Sequence, residues 1–427
     1  MKIFIAGGGI GGLTAALSLH AAGFEDVHVL EAARELLPLG VGLNILPNAV
    51  RELTELGLYE ELVNNAITTS ELALYSRHGQ LIWKEPRGLA AGYHWPQLSI
   101  HRGYLQSVLA RAVRERLGPA AITTHTRVTD CSQDRKGKVA VTLDRVGSDT
   151  TVVRDVDLLI GADGIRSAVR ASLYPNEGPP PDNGMIMMRG TTWTESFLDG
   201  QSMIVTGDDS KRIVLYPIAQ DRPRGRSLIN WVAARPADDD LHHRGDWSRE
   251  GSVDDVLEHF GDWHFDWLDI PAILRSATAV YQYPMVDRDS LSRWTFGHVT
   301  LLGDAAHAMY PMGSNGATQS IVDARALAHA LATSGDIPEA LLAYEAERRP
   351  AMTLLQASNR RQGPEAVITT VHQRAPDGFN DLHDVISATE LAEVSARYAM
   401  TGGFGVTAVN GRASRSTFPS KPTAREK

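Results

Sequence analysis

The run Gly7-Gly8-Gly9-Ile10-Gly11-Gly12 stands between a short apolar stretch and a helical one, and it limits the fold more than any other feature of the chain. Lys2–Ala6 reads as a buried strand, Gly12–Ala22 as a helix and Val27–Leu30 as a second strand. A βαβ opening of this kind implies a parallel sheet with right-handed crossovers. Gly7, Gly9 and Gly12 have the spacing G-x-G-x-x-G, which acquires meaning in this strand-to-helix context. Gly7 permits a tight turn. Gly9 lets a pyrophosphate approach the backbone at the positive helix N-terminus, with Gly11 beside it, and Gly12 lets helix and strand pack closely. Glu31, with Ala32 after it, ends the second strand 19 residues beyond Gly12, where a ribose-binding carboxylate is expected. Dinucleotide binding follows; the motif does not say which dinucleotide.

At 427 residues the chain is long enough for more than one core. Val50–Val63 reads as helices broken at Gly57, and Leu105–Leu117 as an amphipathic helix. Gly178-Pro179-Pro180-Pro181 marks a linker. Strand-like segments at Met185–Met188, Ile213–Tyr216 and Ser227–Val232 then suggest a largely antiparallel sheet, before Val299–Leu302 and a helix at Ala317–Leu331 return to the first unit. The expected class is α/β with an α+β second domain. A Rossmann-like domain takes residues 1–75, 100–178 and 280–345, and an interleaved substrate sheet takes 76–99 and 179–279. The remainder, 346–427, is read as a helical tail with a disordered end, Ser387 and Glu390 forming a capping box. It packs on its own domain or on a partner, which leaves monomer and homodimer both open.

The net charge of −9 argues against nucleic acid, and no apolar run is long enough for a membrane helix. Cys131 is the sole cysteine, which fits a reducing cytoplasm and leaves no cysteine cluster for a metal. No metal site is expected.

Two further segments specify the cofactor. One is Leu158-Leu159-Ile160-Gly161-Ala162-Asp163-Gly164, continuing through Arg166 to Arg170. The other is Val299-Thr300-Leu301-Leu302-Gly303-Asp304-Ala305-Ala306-His307, running on to Pro311-Met312-Gly313-Ser314-Asn315-Gly316. Asp304 follows an apolar strand at the sheet's carboxyl end, where doubly wound folds bind ligands, and its carboxylate suits a ribityl hydroxyl. His307 reads as a structural hydrogen-bonding residue. With the glycine turn, these motifs resemble, in order, those of the class A flavoprotein monooxygenases, the aromatic hydroxylases.

That resemblance implies FAD as resident cofactor, NADH or NADPH as electron donor, and O2 delivered through a flavin C4a-hydroperoxide to a small aromatic or N-heteroaromatic substrate. It places Asp163 and Gly164 near the pyrophosphate, with Asp163 and Arg166 either bracing their loop or touching cofactor. Gly303 and Asp304 fall on the ribityl chain, and Gly40, Val41 and Gly42 beside the flavin ring. Gly313 and Gly316, ahead of a helix beginning near Ala317 that is also expected at the cofactor, would let main-chain N–H groups face the flavin's N1–C2=O edge. Arg102, Pro311 and Gly313 are the residues expected at the chemistry itself. Pro38–Gly42, Ser99–Gly103, Tyr283–Asp289 and Met309–Gly313 are similar to members acting on phenazine carboxylates, and the likeness fades after Asn359. Substrate contacts are expected from Met188, Arg189, Tyr216, Tyr283, Met285 and Met312; an inward Arg189 would argue for an anionic substrate. An FAD-dependent dehydrogenase without oxygen insertion is the alternative. The halogenase signature is matched only faintly by Phe265-Asp266-Trp267-Leu268-Asp269-Ile270-Pro271.

Overall fold

Residues 1–37, 40–148, 150–237, 250–393 and 403–416 are described by a computed structural model. Pro38, Leu39 and the expected disordered end, 417–427, lie outside them.

The strand Ile3–Ala6 is buried along its whole length, as a parallel strand covered on both faces must be. It sits inside a six-stranded sheet in the order Thr295–Phe296, Val299–Leu301, Leu158–Gly161, Ile3–Ala6, Val27–Leu30, Ile122–Thr123. All neighbours are parallel except the edge pair Thr295–Phe296 and Val299–Leu301. The helix Ile10–Ala21 packs against Arg102–Leu117 and Gly316–Thr333, and the latter against Ile337–Arg360. Their apolar faces form one continuous core with the sheet.

A seven-stranded sheet carries the second core. Its order is Val280–Val286, Asp182–Glu195, Arg226–Pro236, Arg212–Asp221, Ser202–Gly207, Glu71–Ser76, Leu81–Pro86. Every pair is antiparallel save Ser202–Gly207 with Glu71–Ser76. One face, with Met188, Ile204, Ile213, Leu215 and Trp231, is sealed by the short helices Val253–Phe260 and Ile270–Arg275. Phe265 and Trp267 belong to this sealed side, so the halogenase-like segment is packing rather than chemistry. The other face is covered in part by the helix Ala366–Arg374, which packs on Leu72, Leu74 and Val205.

Three boundaries differ from the sequence reading. Glu71–Ser76 and Val280–Val286, assigned to the first unit, are strands of the second sheet, because long-range pairing and not chain order decides membership. The break placed at 346 falls within a continuous helix, Ile337–Arg360, which accommodates Pro350 in its interior. The tail then closes on its own chain: Arg51 donates to the carbonyl of Val409 (2.7 Å), and buried Glu52 accepts from Arg325, Arg412 and Arg415. Ser387 accepts from the Glu390 N–H at 3.2 Å, the capping contact expected there. Among the described residues no helix is long and apolar enough to cross a membrane.

Candidate active site

The carboxyl ends of Ile3–Ala6, Val27–Leu30, Leu158–Gly161 and Val299–Leu301 open onto one cleft of about 920 Å3. Gly7 has φ +100°, and a Cβ there would lie 2.4 Å from the Ala162 carbonyl oxygen; a Cβ on Gly12 would lie 2.0 Å from that of Gly7. No side chain fits at either position, so the turn closes tightly over the sheet. Gly9 has nothing within 4 Å of a Cβ and is the N-cap of Ile10–Ala21, with no side chain capping the first turn. The uncapped N–H groups and the open space above them form an anion cradle. Gly11 lines the cleft, and the Glu31 carboxylate receives the N–H groups of Gly8 and Ala33, each at 2.7 Å, fixing the turn's outer wall beside Ala32.

Asp163 is spent on its own loop. It accepts from the Ser167 hydroxyl and from the N–H groups of Ala168 (2.8 Å) and Val169 (3.3 Å), ordering the segment that leads into Ala168–Leu173. Burial pushes its carboxyl up, against the pull of those donors. Arg170 ties this segment to the next one: its guanidinium pairs with Glu177 and donates to the carbonyls of Ala305 (3.0 Å) and Ala306 (3.3 Å). Asp163, Gly164 and Arg166 all line the cleft.

Gly303 and Asp304 sit at the far end. Burial raises the Asp304 carboxyl while the charges of His307 and Arg102 draw it down, and no hydrogen-bond donor contributes. An acceptor enclosed by protein yet open to the cleft is what a polyhydroxyl chain requires. Beneath it lies a network that sequence reasoning did not foresee. His307 Nε2 bonds Asp323, whose other oxygen accepts from Arg348 Nε at 2.7 Å; Arg348 also donates to Gln319 at 2.7 Å. Asp323 further receives the Gly303 N–H at 3.3 Å. Burial alone would raise the Asp323 carboxyl, but His307 and Arg348 hold it at about 2. His307 is thus structural. Asp323 and Arg348 lie on helices and become a pair only through packing.

A second cavity, about 290 Å3, joins the first at Leu43, Arg102, Asp304, Gly316 and Ala317. Its wall is the other face of the seven-stranded sheet, with Met187, Arg189, Met203, Tyr216 and Met285 on it. Opposite stands the turn containing Pro311, Met312 and Gly313, which precedes the helix Gly316–Thr333. Alternate residues along a strand face opposite sides, so Met187 lines the cavity and the expected Met188 is buried behind the sheet. Tyr283 joins the apolar cluster of Met187, Ala234 and Met285 at the cavity's edge without lining it. Arg189 faces inward. It donates to the Gly42 carbonyl at 2.8 Å, while its Nε is buried without a partner. Arg189 also hydrogen-bonds the Tyr216 hydroxyl, and its charge and that bond oppose the upward push of burial there.

Gly40–Gly42 leads into Leu43, which lines both cavities, while Gly40, Val41 and Gly42 themselves line neither. Gly42 donates to Asn230 at 2.7 Å, and the Val41 carbonyl accepts the Arg102 N–H at 2.9 Å. The Arg102 side chain lies against Gly40, at the junction of the cavities. Asn230, Arg212 and Glu365 were missed, each distant in sequence from any motif; Asn44 and Gln97, given no role there, stand two residues from Gly42 and from Ser99. The large cleft therefore fits FAD in its anion cradle, its unpartnered carboxylate and its outlet into a second, partly apolar chamber.

Comparison with known proteins agrees with this geometry. The family described as FAD binding domain matches residues 1–358. The chain is 49% identical over 372 residues to the phenazine 1,6-dicarboxylic acid hydroxylase PhzS of Lysobacter antibioticus, covering 86% of this chain and 91% of that one. It is 30% identical over 400 residues to a salicylate hydroxylase of Pseudomonas putida, covering 85% of each. Among solved structures, Klebsiella pneumoniae HpxO complexed with FAD and uric acid superposes with a TM-score of 0.73 at 23% identity, covering 95% of this chain and 98% of the other.

Proposed function

Because the chain belongs to the FAD-binding-domain family, among the FAD-dependent aromatic monooxygenases, we propose that its substrate is a carboxylated aromatic or N-heteroaromatic ring lying in the smaller cavity. NADH or NADPH is the electron donor, and the dehydrogenase alternative is not favoured by relatives named for hydroxylation. When bound, FAD supplies electron transfer to O2 and insertion of one oxygen atom into the ring.

The observation that carries the substrate class is Arg189. A guanidinium in a cavity lined by Met187, Met203 and Met285, whose hydrogen bonds go to the neutral Gly42 carbonyl and Tyr216 hydroxyl, offers a positive charge for an anion to neutralise. A ring carboxylate meets that need, and the methionines supply an adaptable surface for a flat ring. Asp304 holds the ribityl chain, and the first turn of Ile10–Ala21 holds the pyrophosphate. The N–H groups at Gly316 and Ala317 stabilise negative charge at the flavin's edge. Arg102 stands where both cavities meet, beside the reacting centre.

The test is turnover of the FAD-loaded protein with NADH or NADPH across aromatic acids, with oxygen uptake and product mass recorded together. A substrate that stimulates oxidation and gains one oxygen supports the reading. Arg189→Met should then raise KM on the order of 10- to 100-fold, as loss of a charged hydrogen bond does. An unchanged KM for carboxylated substrates in that variant overturns it.

A further inference from the structure

The smaller cavity is completed from beyond the family match. Pro364 and Glu365 line it from the turn Gly363–Glu365, past residue 358. Glu365 is 7% exposed, and the Gly313 N–H hydrogen-bonds its carboxyl. This joins the turn at Gly363–Glu365 to the turn Met312–Ser314, which also lines the cavity.

Two other polar groups on the lining are engaged within the protein. Asn44 accepts from Gln97 (3.2 Å) and from Ser99 (2.6 Å). Arg212 donates to the Lys211 carbonyl (3.1 Å), to Gln362 (3.2 Å) and to Thr369 (2.6 Å), so its charge faces Glu365 without filling that carboxylate's acceptor positions. A carboxylate offers about four acceptor positions, of which the single N–H takes one. With Arg189 across the same cavity, the chamber has a cationic pole and an acceptor pole.

We infer that Glu365 determines specificity, accepting a hydrogen bond from a hydroxyl, amino or N–H group on the substrate ring while the ring's carboxylate pairs with Arg189. The inference rests on the proposed aromatic-acid substrate. It selects, among such acids, those bearing a donor on the ring. A site built to hold a donor rejects the analogue lacking it, since the buried acceptor is then left bare.

Burial pushes the Glu365 carboxyl up to about 7, with Arg212 and the Gly313 N–H opposing. Above that pH it is an acceptor only; below it, it carries a proton and can donate. The remaining charged groups on the lining are Arg87, Arg102, Arg189 and Arg212, with Asp304 the other carboxyl and Tyr216 the phenol, raised by burial.

The experiment titrates FAD-loaded full-length protein with 3-hydroxybenzoate, salicylate and 6-hydroxyphenazine-1-carboxylate, each against the same acid without the hydroxyl. Perturbation of the flavin spectrum reports binding. At pH 8 the wild-type protein should prefer the hydroxylated member of a pair by about 10- to 100-fold. That preference should shrink at pH 6. In Glu365→Gln it should fall and lose its pH dependence while the unhydroxylated acid still binds; Glu365→Ala should agree. A preference retained in both variants, or none in the wild type, overturns the role of Glu365 alone. A wild-type protein that binds none of the five acids overturns the aromatic-acid reading, and this inference with it.

Discussion

Asp323→Asn is the perturbation that best probes the ground beneath the cofactor turn. Holding the carboxylate at about 2 rather than 3.8 corresponds to about 2.5 kcal/mol in favour of its ionised form. The amide keeps the size but removes the charge, and it leaves Arg348 buried opposite a neutral group. Breaking a buried pair in this way costs about 3–5 kcal/mol. With an unfolding entropy of about 2.1 cal/mol/K per residue, 427 residues carry about 0.9 kcal/mol/K, so Tm should fall by roughly 3–6 °C. The Gly303 N–H and His307 lose their anchor together, so FAD retention should drop as well. Differential scanning fluorimetry of apoprotein gives the first quantity, and flavin-to-protein absorbance ratio after dialysis the second. The sign with pH is fixed: because the folded-state carboxyl is depressed, its contribution is present above about 4 and is lost as pH falls towards 2. If the variant melts within a degree of wild type at pH 7 and keeps its flavin, the network does not hold the turn.

Asp304→Ala should yield mostly apoprotein with little change in Tm, weakening FAD by about 10-fold or more through loss of a charge-assisted hydrogen bond; a full flavin spectrum after dialysis would refute the ribityl role. The two adjacent methionines should separate cleanly. Met188→Ala should cost about 2–4 kcal/mol in a denaturant melt with KM unchanged, and Met187→Ala should alter KM with a smaller stability loss. The reverse pattern would mean that the parity of Asp182–Glu195 is misassigned.

That pair also shows what the sequence could and could not convey. The cleft was legible because its parts are local. Gly7–Gly12, Asp163 and Gly303–Asp304 each follow an apolar strand directly, and strand-then-glycine is written in consecutive residues. The cavity wall was not. Met187 and Met188 are equally apolar, and only the register against Arg226–Pro236 and Val280–Val286 decides which faces inward. Glu71–Ser76 escaped for a related reason, since its parallel partner Ser202–Gly207 lies 131 residues away at Glu71↔Ser202. Asp323 and Arg348 carry no motif: on paper each is a charged residue on a helix, and only burial makes them a pair. Arg189 was legible as a candidate but not in its direction.

The two cavities share Leu43, Arg102, Asp304, Gly316 and Ala317. Each occupant is therefore part of the other's container. An aromatic acid entering the apoprotein meets a chamber lacking one side, and FAD entering first supplies that side. Binding of the two would then be coupled, and any such coupling is reciprocal: the factor by which FAD tightened the hold on the proposed acid would be the factor by which the acid tightened the hold on FAD. The protein would accordingly keep its flavin best while its substrate is plentiful, and loss of flavin on storage would be slowed by any acid that fills the smaller chamber.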